Sequence, residues 1–146
     1  MPNYCTNTVT ITHDDAAQIA RIKSTIEQNK PLFAEFVPRP ESEDQNWYDW
    51  NLVNWGTKWD ASGVDITGDY PNCNCIALLF DTAWCPPIGF YQQMESLGFE
   101  VIAYYHEPGM GFCGKYVDGI DEDYDLSDID GIPQDIIDEF ALDECD

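Results

Sequence analysis

From residue 3 to residue 12 the chain alternates without a break: Val9 and Ile11 are apolar, and Thr6, Thr8, Thr10 and Thr12 stand around them. A period of two sends the two sets to opposite faces, so this stretch reads as a strand with one face buried. The next period is helical. Ala16, Ile19, Ile22, Lys23 and Ile26 recur at helical spacing over residues 15–29, with Asp14 or Asp15 as cap and Pro31 as stop. Strand character returns at Val64 to Thr67, breaks at Asp69-Tyr70-Pro71-Asn72, and resumes as a largely buried strand from Cys73 to Thr82. Pro86 and Pro87 can open a second helix over residues 87–96, which Gly98 closes. Phe99 to His106 alternates again, and Gly114 to Val117 can pair with it.

The order is β–α–insertion–β–β–α–β. It predicts an α+β fold of the ferredoxin-like (split βαβ) kind, a mostly antiparallel sheet with two helices on one face. A length of 146 residues suits one such domain, and no repeat of solenoid length is present. The expected organisation is a ferredoxin-like domain over residues 1–117, interrupted by an insertion at about 32–61, and an acidic extension over 118–146. In the insertion Phe33, Phe36 and Val37 can pack, Pro38-Arg39-Pro40 stiffens the exit, and Trp47, Trp50, Trp55 and Trp59 cluster around Gly56.

Charge narrows the function. Against 28 acids stand 6 bases, a formal net charge of -22. Gripping phosphates takes clustered Lys and Arg, so direct nucleic-acid binding is excluded, and an anionic membrane surface is disfavoured for the same reason. Partners chosen by electrostatics would be basic proteins or metal ions. The last 31 residues contain 13 of the acids and no base. Within them Ile132, Ile136, Ile137 and Phe140 share one side of a helix that Pro133 can start, which predicts a short amphipathic helix docked on the domain. The N-terminus has neither the basic start nor the apolar stretch of a secretory signal, and the longest apolar run, Ile76 to Phe80, cannot span a bilayer. An intracellular protein with reduced thiols at Cys5, Cys73, Cys75, Cys85, Cys113 and Cys145 is expected.

Several longer stretches carry a resemblance. Met1-Pro2-Asn3-Tyr4-Cys5-Thr6-Asn7, Trp47-Tyr48-Asp49-Trp50, Asn54-Trp55-Gly56-Thr57-Lys58-Trp59-Asp60, Phe80-Asp81-Thr82-Ala83-Trp84-Cys85-Pro86-Pro87 and Glu107-Pro108-Gly109-Met110-Gly111-Phe112-Cys113-Gly114 are similar to the YubB-like family. The likeness covers roughly residues 1–117, with Tyr4 where a Trp would be expected. It implies a ferredoxin-like domain carried by phages and conjugative plasmids, hence a bacterial host cytoplasm. It brings no catalytic residues.

Each chemical motif has a plainer reading beside it. Gly109-Met110-Gly111-Phe112-Cys113-Gly114 matches the GxGxxG string, but strand rather than helix follows, so a glycine-rich hairpin is expected and no nucleotide site. The acids of Asp118 to Gly131 fail the calcium-loop register, since Gly131 at the sixth position puts Leu126 first and Ile137 twelfth. Cys73 and Cys75 are spaced to share a strand face, yet a zinc site needs two further soft ligands and no CxxC exists. His13 and His106 have no local acid and nucleophile beside them. No cofactor, metal or enzymatic activity is expected. If there were a hydrolase, Asp49, Asp60 and Asp81 would be its candidate carboxylates.

The strongest functional signal is the acidic segment. In a helix its charges would recur every few ångströms, near the ~3.4 Å phosphate spacing of one DNA strand. The expectation is a phage- or plasmid-borne inhibitor of the anti-CRISPR or anti-restriction type. It would act as an acidic DNA mimic on a basic host protein or nucleoprotein complex. Its partner-binding residues would be Asp118, Asp121, Glu122, Asp123, Asp125, Asp128, Asp130, Asp135, Asp138 and Glu139. The alternative is a regulatory binding module that uses Trp47, Tyr48, Trp50, Trp55 and Trp59.

Overall fold

The computed structural model describes residues 3–142. Six strands form one sheet: β1 (Tyr4–Thr12), β2 (Ser62–Tyr70), β3 (Cys75–Ala83), β4 (Glu100–Glu107), β5 (Phe112–Val117) and β6 (Ile120–Asp125). Their order is β2-β3-β1-β4-β5-β6, and every neighbouring pair is antiparallel. The helices are α1 (Ala16–Glu27), α2 (Leu32–Phe36), α3 (Trp47–Asn54), α4 (Ile88–Ser96) and α5 (Gln134–Phe140). The first four strands in sequence, with α1 after β1 and α4 after β3, make the split βαβ arrangement expected of a ferredoxin-like α+β fold.

Alternation in β1 decides which face is covered. Cys5, Asn7, Val9 and Ile11 are buried, whereas the threonines between them are half-buried. On the buried face Ile76, Leu78, Phe80, Val101, Ala103 and Tyr116 meet Ile19 and Ile22 of α1 and Phe90 and Met94 of α4. Asp15 caps α1 by accepting the Ala17 N–H at 3.0 Å, satisfying one of the free donors of the first turn.

The insertion is tied to this core through Phe33. Its ring lies 4.3 Å from that of Phe90 and 5.8 Å from those of Trp55 and Phe80. Trp55 is buried, and its indole N–H donates to the Val37 carbonyl at 2.9 Å. Asp60 accepts the backbone N–H groups of Phe33, Ala34 and Ala61, so its carboxylate fastens the start of α2. Burial pushes the Asp60 carboxyl up from its ordinary value, and those N–H groups oppose the shift.

The acidic segment begins as part of the sheet. Asp118 and Gly119 both have positive φ, +53° and +77°, the geometry of a two-residue turn that matches strand twist. That turn folds Ile120–Asp125 back onto β5 as the edge strand β6, with Val117 opposite Ile120 and Phe112 opposite Asp125. The chain then crosses to the other face, where Ile132, Ile136, Ile137 and Leu142 pack with Cys113 against Tyr104, Tyr124, Leu126 and Phe140. This is the amphipathic helix expected near Pro133, docked on the sheet face that α1 and α4 leave open.

Two local expectations change. β2 is longer than Val64 to Thr67 and includes Asp69 and Tyr70. The turn after it is a 3-10 turn at Pro71–Cys73, and Asn74 takes a left-handed conformation at φ +49°. Cys73 therefore lies outside β3 and is exposed, while Cys75 opens the strand half-buried, so the pair does not share a strand face. The five described cysteines are free thiols, and Cys145 lies outside the described residues. Among the described residues no helix is long and apolar enough to cross a membrane.

The packing ranks two aromatic positions sharply. Phe33→Ala should cost about 3–5 kcal/mol in urea unfolding, because it empties the centre of a four-ring cluster. Trp47→Ala, at an exposed ring, should change stability by less than about 0.5 kcal/mol. Equal losses at the two sites would contradict this account of the insertion.

Candidate functional site

β6 has a neighbour on one side only, and an unpaired edge is a template for pairing with another chain. Four acids in six residues blunt that edge. The register puts Asp121, Asp123 and Asp125 opposite Tyr116, Gly114 and Phe112, on the face of α1 and α4. Glu122 lies opposite Lys115, on the face of α5. Here the expected helical comb of charges is corrected: the Asp118-Gly119 turn makes the segment a strand. Its rise is ~3.4 Å per residue, close to the axial phosphate spacing of one DNA strand.

All ten acids named above are exposed. Among the described residues Lys115 is the base that touches them, at 3.0 Å from Asp135, whose carboxylate also accepts the Tyr104 hydroxyl at 3.1 Å. Glu139 accepts from Thr8 of β1 at 2.7 Å, so it and Asp135 tie α5 to the sheet, while Asp138 accepts from Gln134 of the same helix at 2.8 Å. Asp125 accepts the Ser127 N–H at 2.9 Å, which holds its carboxyl below the ordinary value. Asp123 and Asp130 make no side-chain hydrogen bond or ion pair among the described residues.

Beside this edge, on the face of α4, opens a hollow of about 350 Å³ lined by Gly56, Cys85, Pro86, Ile88, Tyr105, Phe112, Asp121 and Asp123. Tyr105 is buried up to its hydroxyl, which donates to Asp121. Lost solvation pushes the Asp121 carboxyl up, the Tyr105 hydrogen bond pulls it down, and the neighbouring Asp123 adds to the rise. The Cys85 thiol donates to the Gly56 carbonyl at 3.0 Å. Burial raises the thiols of Cys5 and Cys85, so both stay protonated at neutral pH and are poor nucleophiles. Glu107, opposite Phe112 in the ladder, is buried; one of its oxygens accepts the Gly109 N–H at 2.8 Å and the other has no partner among the described residues.

No reading of the sequence picked out this hollow. The stretches that form it were visible as Asn54 to Asp60, Phe80 to Pro87 and Glu107 to Gly114, but nothing local shows that they converge. The glycine-rich string is the β4–β5 hairpin, with Gly111 at φ +79°.

The aromatic set of the insertion divides. Trp55 is 4% exposed and belongs to the core, and Trp50 stands edge-on to it at 5.5 Å, half-buried. As a common contact surface the five residues are therefore split, because Trp55 and Trp50 are consumed in packing. Trp47, Tyr48 and Trp59 face solvent with Leu52 and Val53, and the Lys58 ammonium sits 4.5 Å over Trp59 and 5.9 Å over Tyr48. Asp49 is exposed on α3, Asp60 caps α2, and Asp81 accepts from Thr6 at 3.3 Å on the opposite sheet face, so these three are not brought together. His13 packs edge-on to Phe99, and His106 lies against Phe140, with burial lowering the His106 value. Among the described residues no group of three or more His, Cys, Asp or Glu is placed to hold a metal ion.

No family model matches the chain, and no curated protein matches it. Among solved structures it is similar to protein api92 from Yersinia pseudotuberculosis, of the family model DUF1281, at 17% identity and a TM-score of 0.49. The match covers 64% of this chain and 38% of that one, so the chain spans well under half of that structure's length.

The Lys115–Asp135 contact has a pH signature. The hydrogen bond from Lys115 holds the Asp135 carboxyl below its ordinary value of 3.8. A lowered folded-state value stabilises the docked helix above the ordinary carboxylate range, and that stabilisation disappears as pH falls through the lowered value. Lys115→Met should move the Asp135 midpoint upward in a carboxyl NMR titration and cost less than about 1 kcal/mol, because the pair is solvent-exposed. An unmoved midpoint would show that Lys115 does not set it.

Proposed function

We propose that this chain is a non-catalytic, protein-binding inhibitor whose acidic edge imitates DNA and blocks the nucleic-acid site of a host defence or DNA-processing complex. The observation that carries the reading is the run of exposed acids on β6, the following loop and α5, with Lys115 as the base in contact with it. A basic channel built for phosphates would meet a comparable field, and opposite charges would steer a fast encounter. The resemblance to the phage- and plasmid-borne YubB-like family belongs to the same proposal and supplies its setting, a bacterial host cell.

A second reading has its own observation. Trp47, Tyr48 and Trp59, with Leu52 and Val53, offer an exposed aromatic and aliphatic patch of the kind that anchors protein interfaces. On that reading the acids serve solubility and edge protection.

The test separates the two. The fivefold variant Asp121→Asn, Glu122→Gln, Asp123→Asn, Asp125→Asn, Asp128→Asn keeps side-chain size and one acceptor oxygen at each position and removes five charges. Capture of DNA-binding proteins from a bacterial lysate should weaken steeply with added salt, be competed by duplex DNA, and be lost with this variant. Single Asp→Asn changes should be nearly silent. Undiminished capture by the fivefold variant, together with loss in Trp47→Ala, Tyr48→Ala, would replace mimicry with the aromatic module.

A further inference from the structure

The hollow beside β6 combines features that neither the acidic edge nor the aromatic patch has alone. Pro86, Ile88 and Phe112 give it apolar walls, the Tyr105 and Phe112 rings stand 6.0 Å apart, and Asp121 and Asp123 stand on its β6 side. Its volume of about 350 Å³ lies at the small end of ligand pockets, a fit for one side chain rather than a cofactor. One acceptor is already oriented, since Tyr105 donates to one oxygen of Asp121. The other is free: the Asp123 carboxylate has no partner among the described residues.

We propose that the hollow is the receptor for a single arginine side chain of the basic partner. This inference rests on the reading of the acidic edge as a protein-binding surface, and adds where on that surface specificity resides. An arginine brings a three-carbon stem, which buries against Pro86, Ile88 and Phe112 while its charged head stays at the carboxylates. The guanidinium is planar and weakly hydrated, so it stacks on an aromatic face and still donates in its own plane to carboxylate oxygens. Asp121 and Asp123, alternate residues on one face of β6 whose backbone positions lie ~6.8 Å apart, supply those oxygens. An acidic surface without a pocket attracts any cation; the hollow selects one that is long, apolar along its stem and flat at its end.

Titration of the full chain with butylguanidinium, followed by amide NMR, tests this. Saturable shifts centred on Gly56, Ile88, Phe112 and Asp123 are expected, and the neutral butylurea should produce none. Asp123→Asn should weaken the binding about tenfold, the effect of losing one charged acceptor. Phe112→Ala keeps every charge and should weaken it as well, which a purely electrostatic surface would not show. Shifts spread evenly over residues 118–130, equal shifts with butylurea, or unchanged binding in both variants would overturn the proposal. Its failure is distinct from failure of mimicry. Salt-sensitive, DNA-competed capture could persist with a hollow that ignores butylguanidinium, and the fivefold variant decides that question separately.

Discussion

Everything in this fold hangs on β1 being a central strand with one wet and one dry face. Its partners are β3 and β4, both antiparallel, and its register sets theirs: Val9 lies between Leu78 and Ala103, and Ile11 between Ile76 and Val101. A slip of one residue would turn the threonines inward and the aliphatic side chains out. At the same strand Asn7 donates to the carbonyls of Cys5 and Phe80 and to the Thr82 hydroxyl, so a polar residue at a buried position is satisfied by the very ladder it belongs to. The helices are placed on the dry face because that is where Ile19, Ile22, Phe90 and Met94 can leave water.

A net charge of -22 must then be arranged around this core without breaking it. Four of the six bases are spent on local ion pairs: Arg21 with Glu35, Lys23 with Asp69, Arg39 with Asp44, and Lys115 with Asp135. Lys58 covers aromatic rings instead. These exposed pairs contribute little individually, and most acids are left to solvent and screening ions. The two edge strands take a share: β2 carries Asp65 and Asp69 with register shifts, and β6 carries four acids. Both devices discourage sheet-to-sheet association. The acids of α5 do something different, because Asp135 and Glu139 bond to Lys115, Tyr104 and Thr8 and hold the helix across the open face.

The same edge that protects the sheet also borders the hollow. Asp121 and Asp123 belong at once to an acidic strand and to a recess with apolar walls. Partial desolvation raises the Asp121 carboxyl, an effect that a fully wet edge would not produce. Two surfaces thus stand out on the molecule: a charged one continuous with a shaped recess, and an aromatic one on α3 and its flank. Contact through the first would respond to salt and contact through the second would not, since desolvated apolar contact is insensitive to screening.

Local signals in the sequence determined three strands and three helices: alternation marked β1 and β4, helical spacing marked α1 and α5, a largely buried apolar run marked β3, and the Pro86-Pro87 start with the Gly98 stop marked α4. Composition alone determined that the surface is acidic. Three things were decided only by tertiary structure. The strand β6 has no apolar alternation, so its sequence of acids resembles a tail; its one readable signal was Asp118-Gly119, and pairing with β5 made it a strand. Trp55 and Trp47 are the same residue type eight positions apart, yet one is core and the other surface, a difference that depends on where Phe33 stands. The hollow draws on segments near residues 56, 86, 105, 112 and 122. Its shape follows from the order of strands in the sheet, and no stretch of sequence contains that order.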